Sequence, residues 1–460
     1  MGSIMKTHID IDCKITDEGL VIHYKNRDYA ISYPSTTWKR VPSDVKRALR
    51  DNISLAVTMH LPMVIPGCEG IRLSTNRPAL EPYFLQNFIF DIPSCCEVDE
   101  TDMAEKTRQF LQLDFNYAEQ DIISPDDHDI SGFKALVGMS FGKDSLLTFA
   151  VADEIGLDPE MIYVVEDSLK HEQKHKRRLA ENFKNEFGKD LHVLRHETGL
   201  LRDYSHLDLP PSEFGWGLQN TEYALEFIPF AYALQARYIF FGNEQSTAAT
   251  YLDETNKWRI YPCYDQTHVW TKHIDQITQL FTGRSVKTGS LIEPLMDMMI
   301  QAILINRYPE IAKYQMSCFT ATEAGKDYHW CHQCSVCAKM YLLAAGSGMN
   351  PAKIGFKHDM LESGNKHLFT LFGGKSALTY ANTGLGRDEQ LFAFYLATKK
   401  GNRSALVENF RTSKFYEEAK ERESELIKIF CTIYDSISLP KELKEQVISI
   451  YREEINSFEF

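Results

Sequence analysis

The feature that most constrains this chain is a tight passage from an apolar run into a helical one. Residues 133–139 (FKALVGM) read as a buried strand and residues 146–155 (LLTFAVADEI) as a helix; Ser140-Phe141-Gly142-Lys143-Asp144-Ser145 joins them. A strand that turns at once into a helix through glycine and small hydroxyl residues leaves a cup of free backbone N–H groups. The helix dipole points its positive end into that cup. Gly142 permits a φ that other residues resist and leaves room for an anion. Ser140 and Ser145 add hydroxyl donors and Lys143 a charge, so the stretch suits phosphate. The simpler alternative is a plain turn in which Asp144 and Ser145 cap the helix.

Around this turn the pattern alternates. Residues 133–139, 161–165, 191–194 and 238–242 read as strands, and 144–155, 168–187 and 221–236 as helices. Strands spaced by helices of this length predict an α/β fold with a parallel, doubly wound sheet. Ligands of such sheets sit at the carboxyl ends of the strands. Val165, Glu166 and Asp167 end the second strand, and Asn243-Glu244-Gln245-Ser246 follow the fourth; Asn243, Glu244 and Ser246 thus bring polar side chains to the same edge.

A chain of 460 residues exceeds one small core. The reading divides it into an N-terminal α+β module (1–128), the sheet domain (129–317), a cysteine-bearing, substrate-side segment (318–395) and C-terminal helices (396–460). Amphipathic runs at 412–433 and 439–456 suggest a packing or homodimer surface. The net charge of −14 argues against broad nucleic-acid binding. A basic helix at 170–178 (KHEQKHKRR) leaves a local phosphate or tRNA contact open, a solvated face being the plainer account. The most apolar long run, 291–305, carries Glu293 and Asp297 and is shorter than a bilayer span. With no signal-like start, a cytoplasmic location is expected.

Cys318-x12-Cys331-x2-Cys334-x2-Cys337 offers four soft ligands for tetrahedral zinc. Four thiolates leave no open position, so such a metal would be structural; unligated cysteines or a redox pair are the alternatives. His329 and His332 lie close enough in sequence to replace one cysteine. Between sheet and cysteines, residues 261–273 (YPCYDQTHVWTKH) concentrate Cys263, Asp265, His268 and Lys272, candidates for proton transfer. A late Gly373-Gly374-Lys375 is a further glycine-rich turn.

The loop is not a Walker loop, whose glycine is separated from Gly-Lys-Ser/Thr by four residues. It resembles the SGGxDS loop of the N-type ATP pyrophosphatases, with Phe141 in place of the first glycine. Loop and cysteines together resemble 7-cyano-7-deazaguanine synthase, which is much shorter. The overall order is closer to the UDP-N-acetylmuramoyl-L-alanyl-L-glutamate epimerase family. That family has a G-G-G-K-D-S-type loop, matched at 140–145, and N-E-R-S, matched at 243–246. N-H-Q-x-S-K is matched loosely at 265–272, and S-C ahead of W-C-x-x-C-x-x-C at Ser317-Cys318 and 330–337. A late glycine–lysine turn is matched at 373–375, so the likeness spans about residues 50–395. Gln245 and the broken N-H-Q triplet depart from the pattern.

The resemblance implies an adenine nucleotide α-hydrolase (PP-loop, HUP-type) fold and ATP cleavage to AMP and pyrophosphate. Residues 140–145 would hold the phosphates, Lys143 offsetting their charge and Asp144 placing Mg²⁺, with adenine at Val165 and Glu166. The implied substrate is a small carboxylate, the UDP-linked muramoyl dipeptide. A deazapurine, a tRNA base or a protein terminus is the second reading, and a non-catalytic, zinc-stapled nucleotide binder the third.

Overall fold

The computed structural model describes residues 7–166, 170–376 and 379–458. Asp167, and Ser168 at the head of the expected helix, lie outside them. The strands are β1 (Thr7–Ile15), β2 (Gly19–Tyr24), β3 (Arg27–Ser32), β4 (Cys68–Asn76), β5 (Asp114–Glu119), β6 (Lys134–Gly138), β7 (Pro159–Glu166), β8 (Leu191–His196), β9 (Ala236–Phe240), β10 (Tyr251–Leu252), β11 (Arg259–Ile260) and β12 (Lys287–Gly289). β10 and β11 form a small hairpin; the others make one ten-stranded sheet in the order β12-β9-β6-β7-β8-β3-β2-β1-β4-β5.

β12, β9, β6, β7 and β8 are mutually parallel. Ala135, Leu136 and Val137 of β6 are all fully buried, as expected of a strand covered on both faces. Alternate residues feed two apolar layers. Ala135 and Val137 join Leu146, Phe183 and Met299 on one side; Leu136 joins Phe227, Phe230 and Trp270 on the other.

The N-terminal strands extend this same sheet. β3 pairs antiparallel with β8 through Ile31↔His196 and Ser32↔Arg195. In β1, Ile9, Ile11 and Cys13 are buried while Asp10 and Lys14 are exposed, the alternation of a strand wet on one face. The C-terminal run 412–433 breaks into helices Lys414–Glu421 and Glu423–Phe430, followed by Lys444–Ser457. Their apolar faces are covered within the chain, since Leu426, Phe430, Val447 and Tyr451 are fully buried. No helix among the described residues is long and apolar enough to cross a membrane.

β6 lies between β7 and β9, and the chain leaves toward β7 first. Connections that depart to opposite sides of a strand open a crevice at its carboxyl end. Residues 140–145 sit in that crevice. β9 ends at Phe240, two residues before the expected boundary, which frees Gly242 to Ser246 to turn over the same edge.

Candidate functional site

The helix after β6 runs Lys143–Glu154 with Gly142 at its N-cap. Gly142 has an ordinary extended conformation, φ −71°. The left-handed residue is Phe141, φ +58°, which corrects the expectation that the glycine supplies the unusual φ. The left-handed region costs a non-glycine residue about 1–2 kcal/mol. Phe141 is held there because its ring is fully buried against Phe183, centroids 6.2 Å apart, and its carbonyl accepts Met316 N–H at 2.7 Å. What Gly142 contributes is space: a Cβ there would lie 3.2 Å from Ser140 Oγ and 3.9 Å from Ser317 Oγ. Ser140 and Ser145 hydroxyls meet at 3.2 Å, Ser145 Oγ donates to Gly142 O at 3.1 Å, and Gly142 N–H donates to Ser140 Oγ at 3.3 Å.

Two adjoining cavities open on this loop. One, about 660 Å³, is lined by Ser140, Gly142, Ser145, Glu166 and Asn243. The other, about 400 Å³, is lined by Lys143, Glu244, Ser246, Cys263, Asp265 and Lys339. Asp144, Trp216, Gln219 and Ser317 belong to both walls, so the helix N-terminus is where the chambers meet.

Behind Asp144 lies a buried ionic cluster. Lys143 Nζ is 2.5 Å from both Asp144 Oδ1 and Asp297 Oδ1. Lys339 pairs with Asp297 Oδ2 and, at 3.1 Å, with Glu389, and sits 4.5 Å over the Tyr380 ring. Glu244 accepts Ser246 N–H at 2.6 Å and the Ser246 hydroxyl. Burial would strip Lys143 of its proton, but Asp144 and Asp297 outweigh it and hold the ammonium charged. Asp297 resists the same burial through the two lysines and stays ionised. Glu244 is pushed well above the carboxylate range by burial and by Asp297, and burial lifts Glu389 to about 7. Asp297 and Lys339 were not singled out from sequence as site residues. The signal was there for Asp297, an acid inside an apolar helical run.

At the far end of the larger chamber, Val165 is buried away from the cavity wall and Glu166 faces it. Glu166 Oε1 accepts from Tyr223 OH at 2.6 Å, Arg202 Nη2 at 3.1 Å and Gln219 Nε2 at 3.3 Å. Burial alone would raise its pKa, but His196 and Arg202 bring it below the usual value. Asn243 is anchored on both sides, donating to Thr271 Oγ1 at 2.8 Å and accepting from Asn220 Nδ2 at 3.2 Å.

Segment 261–273 divides. Cys263 and Asp265 line the smaller chamber. Asp265 Oδ2 accepts Asn220 N–H at 2.9 Å; burial lifts its carboxyl to about 8 and the Cys263 thiol to about 12. His268 and Lys272 line neither cavity. They sit in the first turns of the helix His268–Phe281, which Thr267 caps. There Lys272 is 45% exposed and pairs with Asp275 at 2.7 Å. Gly373, Gly374 and Lys375 also line neither cavity.

Cys318, Cys331, Cys334 and Cys337 place their Sγ atoms within 4.8 Å of one another. Cys318–Cys334 and Cys331–Cys337 are 3.9 and 3.8 Å apart. A tetrahedron with Zn–S bonds of about 2.3 Å has edges of about 3.8 Å, so the four are compatible with a closed structural metal site. Backbone N–H groups of Thr320, Gln333 and Cys337 point at three of the sulfurs at 3.3–3.5 Å, as suits thiolates. His332 is engaged elsewhere, its Nε2 accepting Lys357 N–H at 3.1 Å, and His329 is outside the four-sulfur group. The last cysteines open the helix Ser335–Gly346, which carries Lys339 into the ionic cluster. No family model matches this chain, and no curated protein matches it.

Proposed function

We propose that this chain is a PP-loop ATP pyrophosphatase that activates a carboxylate by adenylation. On this reading it works in the cytoplasm, epimerising the terminal L-glutamate of UDP-N-acetylmuramoyl-L-alanyl-L-glutamate to D-glutamate for peptidoglycan precursor synthesis. The observation that carries the reading is the position of residues 140–145. They form an anion cup at the switch point of a parallel sheet, with one chamber on each side of Asp144.

The larger chamber takes the nucleotide, its phosphates against the helix N-terminus that follows Gly142 and the hydroxyls of Ser140 and Ser145. The smaller takes the carboxylate. Asp144, at the junction, is the side chain that would hold Mg²⁺, which offsets phosphate charge when bound. The carboxylate oxygen attacks the α-phosphorus, the α–β bridge breaks and pyrophosphate leaves. The acyl-adenylate no longer carries the carboxylate's charge, so its Cα–H is far more acidic. Lys143 and Lys339, kept charged by Asp144, Asp297 and Glu389, favour the enolate oxygen that develops on deprotonation. Asp265 and a second acid of this chamber exchange the Cα proton, Cys263 on the same wall being held protonated by burial. Water then cleaves the mixed anhydride to AMP and the epimerised acid. The four-cysteine site would hold zinc as a staple.

The test is purified protein with ATP, Mg²⁺ and a panel comprising the muramoyl dipeptide, deazapurine acids and free amino acids. AMP, pyrophosphate and D-glutamate from the dipeptide alone are expected. L-glutamate left unchanged defeats the substrate, and ATP binding without AMP defeats catalysis.

A further inference from the structure

The smaller chamber has a wall that the loop, the cysteines and segment 261–273 do not supply. It comes from the helix Glu81–Val98, whose Asp91 and Ser94 face the cavity. Asp91 is 8% exposed, and among the described residues no lysine or arginine pairs with it. Its Oδ2 accepts the Cys95 thiol at 3.1 Å. Its carboxyl group lies flat against the backbone at Gly217, where a Cβ would come within 2.1–2.3 Å of the carboxyl atoms. Asn87, one turn earlier, donates to Gly217 O at 2.8 Å and locks the two segments together. A buried carboxyl with no cation beside it, held only by a thiol and the Gly217 main chain, is an expensive way to build a core. Such groups gather where protons are handled.

We infer that Asp91, brought in by the N-terminal part of the chain, is a proton-transfer group of this chamber, working with Asp265 on the substrate's α-carbon. This rests on the epimerase reading. The groups that face Asp91 are Cys95 on its own helix, Glu213 and the Gly217 backbone, with Asp265 and Cys263 close enough to feel its charge. Burial first, with Glu213 adding to it, lifts Asp91 to about 7, one below the value reached by Asp265. With both carboxyls raised toward neutrality, one can be ionised while the other keeps its proton, and the assignment makes Asp91 the ionised one. Its carboxylate takes the Cα proton of the acyl-adenylate, the C–H electron pair passing into the enolate. Asp265, still protonated, returns a proton to the other face of the same carbon. Exchange with water resets the pair. The sequence offers no motif for this, since Asp91 and Asp265 come to line one chamber only in the folded chain.

The experiment follows deuterium incorporated at the glutamate α-carbon per pyrophosphate released, with the full chain in D₂O, ATP, Mg²⁺ and the muramoyl dipeptide. Asp91→Asn is expected to lower that ratio about 100-fold, the scale of a lost general base. A serine hydroxyl donates more strongly than a thiol, so Cys95→Ser is expected to move the acid limb of the pH–rate profile to lower pH. That measurement also decides the matter should Asp91→Asn fail to fold. An unchanged ratio, including one in which both quantities fall together, overturns the assignment, as does an unmoved acid limb. Wild-type protein that releases no pyrophosphate overturns the proposed function and this inference together, whereas the other outcomes strike Asp91 alone.

Discussion

The two chambers that meet at Asp144 are built in opposite ways. The larger is the one that takes in most of the strand-to-helix loop, with Ser140, Gly142, Asp144 and Ser145 together on its wall. The smaller is assembled from side chains at positions 91, 143, 244, 263, 265, 297 and 339, delivered by six separate stretches of the fold. A site made of main-chain amides leaves a short local signature, because turn geometry demands particular residues at fixed offsets. A site made of converging side chains leaves none, because its residues are neighbours only in space. The buried ionic cluster shows the cost of the second design, with Lys143 and Lys339 needing three carboxylates to stay charged away from water.

Breaking the support of the smaller chamber has the largest expected effect. Apparent binding free energies at structural zinc sites run about 10–16 kcal/mol. Cys331→Ser, or a strong chelator, should therefore abolish bound zinc by elemental analysis and unfold the segment that carries Lys339, read by near-UV circular dichroism. A folded, metal-free protein with full activity would separate the staple from the site. Next comes Asp297→Ala, which strands two buried ammonium groups and should cost about 3–5 kcal/mol in urea denaturation. The double change Asp297→Leu with Lys143→Met should cost less than the single one, although it abolishes activity.

A third test uses pH. His196 is fully buried; burial would lower its pKa, but Glu226 and Glu166 outweigh that and raise it from 6.5 to about 9. A raised folded value favours the protonated native state, so this contribution is complete below 6.5 and is lost as pH rises through 9. The scale is about 3 kcal/mol. Asp91 and Asp265, also raised, push in the same direction over lower pH. Denaturation midpoints should fall across this range, and His196→Asn should flatten the upper part of the slope.

The phosphate side sharpens the comparison with a smaller effect. Gly142→Ala puts a methyl group 3.2 Å from Ser140 Oγ; pyrophosphate release should fall about 10- to 100-fold while stability changes by under about 1 kcal/mol, since the φ there suits any residue. Smallest of all, His268→Ala and Lys272→Ala should leave activity unchanged and stability within about 0.5 kcal/mol, as expected of a solvated helix face. A large loss of turnover from either would bring that face back into the site.

Much of the central sheet could be read from the chain because its strands are apolar runs of the right length separated by helical periods. The boundaries moved by a few residues where polar ends were mixed into apolar runs, as at β8, which continues through Arg195 and His196. The joining of β3 to β8 was not readable, because strand pairing across more than 150 positions is set by the register of two edges and not by either alone. Within the candidate site, loop and cysteines were legible as spaced motifs. Density of reactive residues was a poorer guide. It found Cys263 and Asp265 but also His268 and Lys272, which the start of a helix turns away from the chambers.

By itself the amino-acid order determined an alternating α/β pattern, a tight strand-to-helix turn at residues 140–145 and four thiols at metal-ligand spacing. Each is a matter of short-range geometry: rise per residue, turn conformation, the reach of neighbouring side chains. Tertiary structure alone decided that Phe141 takes the left-handed turn, that Asp297 and Lys339 stand behind Lys143, and that a helix from the N-terminal strands closes the chamber with Asp91. Those facts depend on which buried groups are brought into contact, and the energy of an isolated charge or a strained residue is met only by partners far away in the chain.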